Sequence, residues 1–207
     1  MAQQRKLSRQ DKAAETRVTL LRVARSLFAE HGYFEISTPE LVSAMGMTRG
    51  ALYHNFRNKR DLFEAVFIDT SRELVEEAIA KLPEDLPDVR SRLHEGASAY
   101  LSSVAASPGR QRILLIDGPA VLGWERWGLL ESTGWRDRME LHLGTLMADG
   151  VLPSVSSKQL GRLLIAAYHE GALAIAHAPV DEREKVQLEM ESCLHVLIDA
   201  LASPHIA

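Results

Sequence analysis

Residues 38–60 carry the side chains best suited to bind a nucleic acid. Their pattern predicts two short helices joined by a tight turn at Gly46, where a residue without a Cβ atom can adopt a positive φ. The second helix would expose Arg49 and Asn55, whose hydrogen-bonding groups match the edges of guanine and adenine. A major groove about 12 Å wide accepts one α-helix, while the preceding helix crosses the backbone. The spacing therefore predicts a helix-turn-helix that binds double-stranded DNA.

The predicted recognition helix has one apolar and one polar face. Leu52 and Phe56 would point into a core shared with the preceding helix, and Thr48 can cap the first turn. The small Gly50 and Ala51 would let the helix approach the bases closely. The residues predicted to contact DNA from this helix and its cap are Thr48, Arg49, Gly50, Ala51, Tyr53, His54 and Asn55.

Cations flank this unit on both sides. Lys59 and Arg60 begin the next helix, where each opposes the helix dipole at a cost of roughly a few tenths of a kcal/mol. That cost is understandable if a phosphate approaches the helix end, and the helix that begins near Thr38 could bind a second phosphate. Residues 5–17 are either a mobile arm that adds sequence-independent contacts or a disordered tail; their cations are Arg5, Lys6, Arg9, Lys12 and Arg17.

The charge of the chain is unevenly distributed. The net charge of −4 and the pI near 6.1 would argue against nucleic acid as a partner. Residues 1–60, however, hold 11 Lys and Arg against 5 Asp and Glu, whereas residues 61–207 hold 13 against 23. A basic head on an acidic body predicts that only the head meets phosphate, although an uneven surface charge without a partner stays possible.

The elements that must position these residues are all predicted to be helices. Nearly every segment has helical periodicity, and no run shows convincing strand alternation, so we expect an all-α fold of about nine helices. Thr38 is the expected N-cap of the second helix, with Pro39 at its first position. Pro83 and Pro87 bracket a predicted domain boundary. A broken region around residues 108–119 is followed by helices at about 133–149, 157–177 and 181–202.

The combination of motifs in residues 13–67 resembles the DNA-binding head of TetR-family transcriptional regulators. The matching segments are Phe28-Ala-Glu-His-Gly-Tyr33, Thr38, Gly46 and Leu52-Tyr-His-Asn-Phe-Arg-Asn-Lys-Arg-Asp-Leu-Phe63. The resemblance implies an all-α homodimer whose third helices enter the major groove of a palindromic operator. It also implies a C-terminal domain that binds a small molecule and then releases DNA. The expected division is a helix-turn-helix domain with a basic arm over 1–58, a connecting helix over 59–83, and a ligand-binding and dimerisation domain over 84–207.

The resemblance also assigns roles to individual residues. Tyr53, Lys59 and Thr38 correspond to phosphate contacts of the family. One departure concerns the family motif Leu-Tyr-x-His-Phe, because His54 here stands one place earlier, which turns it by about 100° around the helix. Asn55 takes the usual position of the histidine, and whether it contacts a base or a phosphate stays open. The resemblance implies that the protein represses transcription, and activation is the alternative.

The aromatic residues of the second half suggest a small-molecule pocket. The three tryptophans lie between residues 124 and 135, whereas all five phenylalanines lie at or before Phe67. A pocket between bundle helices lined by Trp, Met, Tyr and a few polar groups is a usual ligand site. We expect a largely apolar or aromatic effector, and ordinary core aromatics are the alternative. The candidate residues are Tyr100, Trp124, Trp127, Trp135, Met139, His142, Leu143 and Tyr168.

The last two helices carry a candidate dimer interface. Small residues recur along the first of them, and small side chains allow helices to approach closely. Two such helices from each subunit could form a four-helix interface across a two-fold axis, with a buried pair inside one subunit as the alternative. The candidate residues are Gly161, Leu164, Ala167, Gly171, Ala174, Leu194, Leu197, Ile198 and Leu201.

The sequence gives little support for a catalytic site or a metal site. His169-Glu170 begins like a zinc-binding His-Glu-x-x-His motif, but Leu173 stands where the second ligand is required. Gly118-Pro-Ala-Val-Leu-Gly123 lacks the Lys and Ser or Thr of a phosphate loop, and Cys193 is the only cysteine. We therefore expect no catalytic residues, metal or cofactor. With no apolar run of about 18 residues, we also expect a cytoplasmic protein without a membrane partner.

Two other functions stay open at this point. A helical adaptor or enzyme could use the helical corner only as structure, and it would have no salt-sensitive affinity for DNA. A DNA-binding regulator without an effector would use the aromatic residues of the second half only to fill its core.

Overall fold

The structure is a computed structural model that describes residues 2–131 and 135–201, with side chains for 16–88, 90–130 and 135–201. All regular secondary structure in these ranges is helical, as the sequence predicted. None of the described helices is long and apolar enough to cross a bilayer. Four cations of the basic segment, and the predicted helix start at 133, lie outside the described side chains and residues: Arg5, Lys6, Arg9, Lys12 and Thr133.

The helices of the head are α1 (Ala2–His31), α2 (Thr38–Ala44), α3 (Arg49–Asn55) and α4 (Lys59–Ala80). The helices of the body are α5 (Val89–Ala105), α6 (Pro108–Gln111), a π-helical segment (Arg112–Asp117), α7 (Gly118–Leu122), α8 (Trp124–Glu131), α9 (Trp135–Ala148), α10 (Ser157–His177) and α11 (Arg183–Leu201). The backbone of the basic segment 5–17 belongs to α1, so in the described backbone it is the start of a helix.

Helix α2 has a different N-cap from the predicted one. Ser37 is the cap, and its Oγ accepts the backbone N–H of Glu40 at 3.4 Å while Glu40 accepts the N–H of Ser37 at 2.7 Å. This reciprocal pair satisfies two N–H groups at once, which a cap at Thr38 could not do because Leu41 would stand at the position of the acid. The Thr38 hydroxyl is therefore not used as the cap.

The region around residues 108–119, predicted as broken, is a chain of short helices. Ser107 caps α6 through the backbone N–H of Arg110 at 3.2 Å, and prolines stand in the first turns of α6 and α7. Gly118 is needed because a Cβ atom there would lie 2.9 Å from both the Phe67 and Trp127 rings. Proline followed by helix is a start signal rather than a break, which is why this region is helical.

The body surrounds α5, which packs on α4, α10 and α11, while α9 packs on α10. The long helix α4 contributes to both halves: Leu62 and Phe63 are buried near α1, and Leu74 and Ala78 are buried farther along. The buried side chains of the head and the body form one continuous core. The link from α4 to α5 runs over residues 81–88 and contains both predicted breakers. The proposed domain limits stay predictions.

Candidate nucleic-acid interface and ligand cavity

The turn between α2 and α3 has the geometry that the sequence predicted. Gly46 adopts a φ of +62°, and the backbone N–H of Met47 bonds to the carbonyl of Val42 at 3.2 Å. Thr48 caps α3 by accepting the N–H of Ala51 at 3.2 Å. Because the capping oxygen accepts this bond, the Thr48 O–H is still available to donate to a phosphate.

Helix α3 presents its polar face to solvent. Arg49, Gly50, Tyr53 and His54 are exposed, whereas Ala51 is half-buried. The Arg49 guanidinium lies 5.5 Å from the centre of the Tyr53 ring and donates to its hydroxyl at 3.4 Å. This contact orients a cation and a phenol together on the exposed face.

Asn55 does not share this exposed face. Its side chain is half-buried, and Nδ2 donates to the carbonyl of Ala51 in the same helix at 3.0 Å. Such a bond to the i−4 carbonyl is a common local choice for a polar side chain on a helix. The carbonyl of Asn55 accepts from Arg17 at 3.4 Å, and Arg17 stacks 4.6 Å from the centre of the Phe56 ring. Asn55 is therefore less suited to contact a base than Arg49 is, and Arg17 braces the end of α3.

The two cations at the start of α4 have acceptors inside the protein. Lys59 Nζ donates to the carbonyl of Tyr33 and lies 4.1 Å from the centre of its ring. Arg60 donates to the carbonyls of Val121 and Leu122 at 3.0 and 2.9 Å. These carbonyls offset the unfavourable interaction of the two cations with the dipole of α4. A bound phosphate is therefore not needed to explain why cations stand at this helix start.

The environment of Lys59 is only partly open to solvent. Burial lowers the pKa of the Lys59 ammonium, and the charges of Glu40 and Asp117 act in the opposite direction. A phosphate contact would have to use an N–H that does not bond to Tyr33. Thr38, the other phosphate residue implied by the resemblance, is half-buried.

Three polar contacts join the head to the π-helical segment and α8. Asp117 Oδ2 accepts the backbone N–H of Tyr33 at 2.8 Å, and Arg112 donates to the carbonyl of Glu30 at 2.6 Å. Arg126 Nε donates to Glu64 at 3.2 Å. These contacts could not be predicted from the sequence, because nothing in the local pattern of these residues indicates a partner more than sixty positions away.

Four of the predicted ligand residues meet around one cavity of about 140 Å³ between α4, α5, α9 and α10: Trp135, Met139, His142 and Tyr168. Tyr100 lies directly behind them, with its ring centre 5.7 Å from that of Trp135 and 6.3 Å from that of Tyr168. Arg92 and Arg138 also line the cavity and were not predicted. Arg138 could have been found from its position one turn before His142 on the same helix.

The other three predicted ligand residues lie elsewhere. Trp124 is 71% exposed and lines a separate groove with Lys158 and Arg162. Trp127 is buried, and its Nε1 donates to the carbonyl of Leu114 at 2.7 Å. Leu143 is a core residue that packs near Gly161. The i,i+3 spacing correctly paired the Trp124 and Trp127 rings, at 4.8 Å, but did not indicate which side of α8 faces a cavity.

Most of the predicted interface residues are buried inside the protomer. A Cβ atom on Gly161 would lie 3.4 Å from Met139, and one on Gly171 would lie 3.2 Å from Leu101, so the small residues admit α9 and α5. Leu164, Leu194 and Ile198 are buried as well, whereas Ala167, Ala174 and Leu201 are half-buried and Leu197 is exposed. Other exposed apolar residues of α10 and α11 are Leu163, Leu188 and Val196.

Two family models match the chain. Residues 20–66 match a model described as bacterial regulatory proteins of the tetR family. Residues 90–201, more than half of the chain, match a model described as a tetracyclin repressor-like C-terminal domain. The two matches cover the helix-turn-helix and the body respectively.

Relatives and solved structures agree with these matches. A probable acrEF/envCD operon repressor of Escherichia coli K12 is 32% identical over 106 residues, which are 50% of this chain and 47% of that protein. The HTH-type transcriptional repressor AcnR of Corynebacterium glutamicum is 38% identical over 66 residues, 32% of this chain and 35% of that protein. The chain thus spans half or less of these curated relatives. A crystal structure of a TetR-family transcriptional regulator from Pectobacterium atrosepticum superposes with a TM-score of 0.77 at 29% identity, covering 93% of this chain and 96% of that one.

Proposed function

This chain belongs to the TetR family of bacterial transcriptional regulators, and we propose that it is a repressor that binds a palindromic operator as a homodimer. The members of this family are regulators rather than enzymes, so the adaptor or enzyme alternative is set aside. The observation that carries the proposal is the exposed polar face of α3, on a helix whose other face is fixed in the core by Leu52 and Phe56.

The DNA contacts follow from that face. Arg49 stands at the first position of α3, where recognition helices contact base edges. Gly50 has no Cβ atom to hold the helix away from the groove. Tyr53, beside Arg49, and the Thr48 hydroxyl at the cap are proposed phosphate contacts. Lys59 and Thr38 are proposed as further phosphate contacts that need small side-chain movements, since both are half-buried.

A homodimer is supported by the outer faces of α10 and α11. Leu163 is 69% exposed and Leu197 is 50% exposed, with Val196 and Leu188 nearby in sequence on α11. Large apolar side chains exposed on neighbouring helices are typical of an interface that a second copy covers. A two-fold dimer would present two copies of α3 to half-sites about one helical turn of DNA apart, roughly 34–36 Å.

A small-molecule effector is supported by the cavity behind Tyr168. It lies between α4 and α9, and α4 is also the helix whose first turn holds Lys59 and Arg60 against the head and the body. A ligand that changes how α4 packs would therefore change the orientation of α3. The effector is proposed to bind this cavity and to lower the affinity for the operator.

The experiment that tests the DNA-binding proposal is selection from random duplex DNA at about 0.15 M salt, a physiological ionic strength. The protein is first unfolded, dialysed and refolded, so that a co-purified effector cannot mask binding. Enrichment of a palindrome with two half-sites is the expected result. If the refolded, dimeric protein enriches no sequence, the repressor proposal is wrong.

A further inference from the structure

The cavity between α4, α5, α9 and α10 combines apolar walls with an unusual concentration of positive charge. Ile79, Leu93 and Met139 contribute hydrocarbon surface, and the Trp135 ring closes one side. Its volume of about 140 Å³ is close to the roughly 150 Å³ of an apolar cavity that holds one benzene molecule. A ligand of this size has a body of about one aromatic ring or a short hydrocarbon chain.

Three basic side chains line the same cavity: Arg92 on α5 and Arg138 and His142 on α9. Burial lowers the pKa of the His142 imidazole, and the positive charges of Arg92 and Arg138 lower it further. Both guanidinium groups therefore make the electrostatic potential at His142, which forms part of the cavity wall, more positive. Arg138 and His142 are four residues apart, so they stand on the same side of α9.

These charges have no counter-ion in the part of the chain whose side chains are described. Neither the Arg92 nor the Arg138 guanidinium forms a hydrogen bond or ion pair there, and no carboxylate lines the cavity among the described residues. A neighbouring groove shares Ile79 and Arg138 with the cavity and contains Glu76. Glu76, however, lies 3.9 Å from Nε of Arg72. Among the described side chains, the two guanidiniums of the cavity thus have no carboxylate partner.

Tyr168 does not take the role of an anion-binding donor. Its hydroxyl already donates to the carbonyl of Leu93 at 3.3 Å. Burial raises the pKa of the phenol, so it adds no negative charge to the cavity. The polar groups left for a ligand are the two guanidiniums, which favour an anion, and the imidazole of His142.

We propose that the cavity binds a small organic monoanion, a carboxylate carried on one aromatic ring or on a short hydrocarbon chain. The carboxylate bonds to Arg138 and Arg92 beside His142, and the hydrocarbon part packs on Trp135 and Met139. An uncharged molecule of the same shape would leave the positive groups without a partner, and a cation would be repelled. A regulatory role for this site rests on the proposed function as an effector-responsive repressor. Binding of the anion to the cavity does not depend on that function.

The test uses calorimetric titration of the refolded full chain, without DNA, with benzoate and hexanoate and with their uncharged amides as matched controls. At least one acid is expected to bind with a Kd no weaker than about 1 mM, and its amide at least about ten-fold more weakly. Equal affinity for the acid and its amide, or no binding of either acid up to about 10 mM, overturns the anion site.

Two variants locate the site. Arg138→Met keeps an unbranched hydrophobic stem at an exposed position but removes the charge, and it is expected to weaken acid binding at least ten-fold while leaving amide binding unchanged. Arg72→Met removes the same charge from the neighbouring groove and is expected to have less than a three-fold effect. Equal losses in both variants would mean a general effect of charge and would overturn the assignment to this cavity.

Operator binding is measured separately, so that the two proposals can fail separately. An acid that binds but leaves operator affinity unchanged contradicts the proposed release from DNA and supports the anion site. Operator binding that is intact in a protein that binds neither acid contradicts the anion site and leaves the repressor proposal standing.

Discussion

The buried carboxylate of Asp117 accepts the backbone N–H of Tyr33 at 2.8 Å, and this bond joins the π-helical segment of the body to the segment between α1 and α2. Arg60 bonds to the carbonyls of Val121 and Leu122 close by along the chain, so α7 also contacts the head. A π-helical segment inserts an extra residue into a helix and often occurs at functional sites. Hydrogen bonds as well as apolar packing thus join the head to the body.

Replacing Asp117 with Ala should therefore destabilise the protein and weaken the effect of the effector on DNA. The substitution leaves the Tyr33 N–H without its acceptor, at an expected cost of about 1–3 kcal/mol. Effector affinity should be unchanged, while the change in operator affinity on effector binding becomes smaller. Chemical unfolding and fluorescence anisotropy with labelled operator measure the two quantities. Asp117→Asn, which retains an acceptor oxygen, should be the milder variant, and equal damage by both would contradict this role.

Arg49 is expected to determine the preference for one base of each half-site. Arg49→Ala should cost about 1–3 kcal/mol on the selected operator and relax the preference at that base. Arg57→Ala is the matched control, because this exposed cation follows α3 and should affect specific and random DNA alike. The test measures the affinity of each mutant protein for the operator, for operators with single-base changes and for random duplex DNA. An equal loss of affinity by Arg49→Ala on all three would exclude base contact.

Lys59 is expected to affect both the stability of the protein and the salt dependence of its affinity for DNA. Lys59→Met keeps the hydrocarbon stem over the Tyr33 ring but removes the bond to its carbonyl, at a cost of about 1 kcal/mol. If the ammonium also contacts a phosphate, the slope of log K against log salt should flatten by about one unit. Lys185→Met on the body is the control. A stability loss with an unchanged slope would leave Lys59 a purely structural residue.

The sequence predicted the helix-turn-helix well because its signals are local. A glycine at the turn, a threonine at the cap and apolar residues at helical spacing each act within a few residues, and the structure has Gly46, Thr48, Leu52 and Phe56 in these roles. The error at the start of α2 is also local, since Ser37 and Thr38 are both good caps and only the partner Glu40 decides between them.

The cavity and the interface were harder to predict because they depend on how helices pack. Periodicity indicates an apolar face but not which neighbour covers it, so Gly161 and Gly171 could equally have served a dimer or the protomer interior. Trp127 and Trp124 stand on one helix, yet one is buried and the other is exposed. The charged side of the cavity was missed because Arg92 and Arg138 come from different helices and look like ordinary surface residues in sequence.

Acid should destabilise the protein partly through Glu77. Burial alone would raise the pKa of this carboxyl, but bonds from Lys81 and Arg110 at 3.0 and 2.8 Å lower it to about 2, from 4.5. A carboxyl with a lowered pKa in the folded state stabilises the protein above pH 4.5, and this contribution is lost as the pH falls toward 2. Glu77→Gln should therefore flatten the pH dependence of unfolding in this window. Urea unfolding from pH 7 downward measures it, with the more exposed Glu76→Gln as the control; an unchanged slope for Glu77→Gln would contradict the assignment.

Leu197, which is exposed on α11, should be required for the dimer and therefore for operator binding. Leu197→Glu places a charge on the face proposed to meet a second copy, and it should weaken dimerisation by at least about 100-fold, or roughly 3 kcal/mol. Leu141→Glu is the matched control, since Leu141 is 69% exposed and belongs to α9 rather than to the two helices proposed to form the interface. Both substitutions are at exposed positions, so both variants should fold, and circular dichroism verifies this. Sedimentation velocity should find a monomer only for Leu197→Glu, and its affinity for a two-half-site operator should fall to that for a single half-site. A stable dimer of this variant would mean that another surface forms the interface.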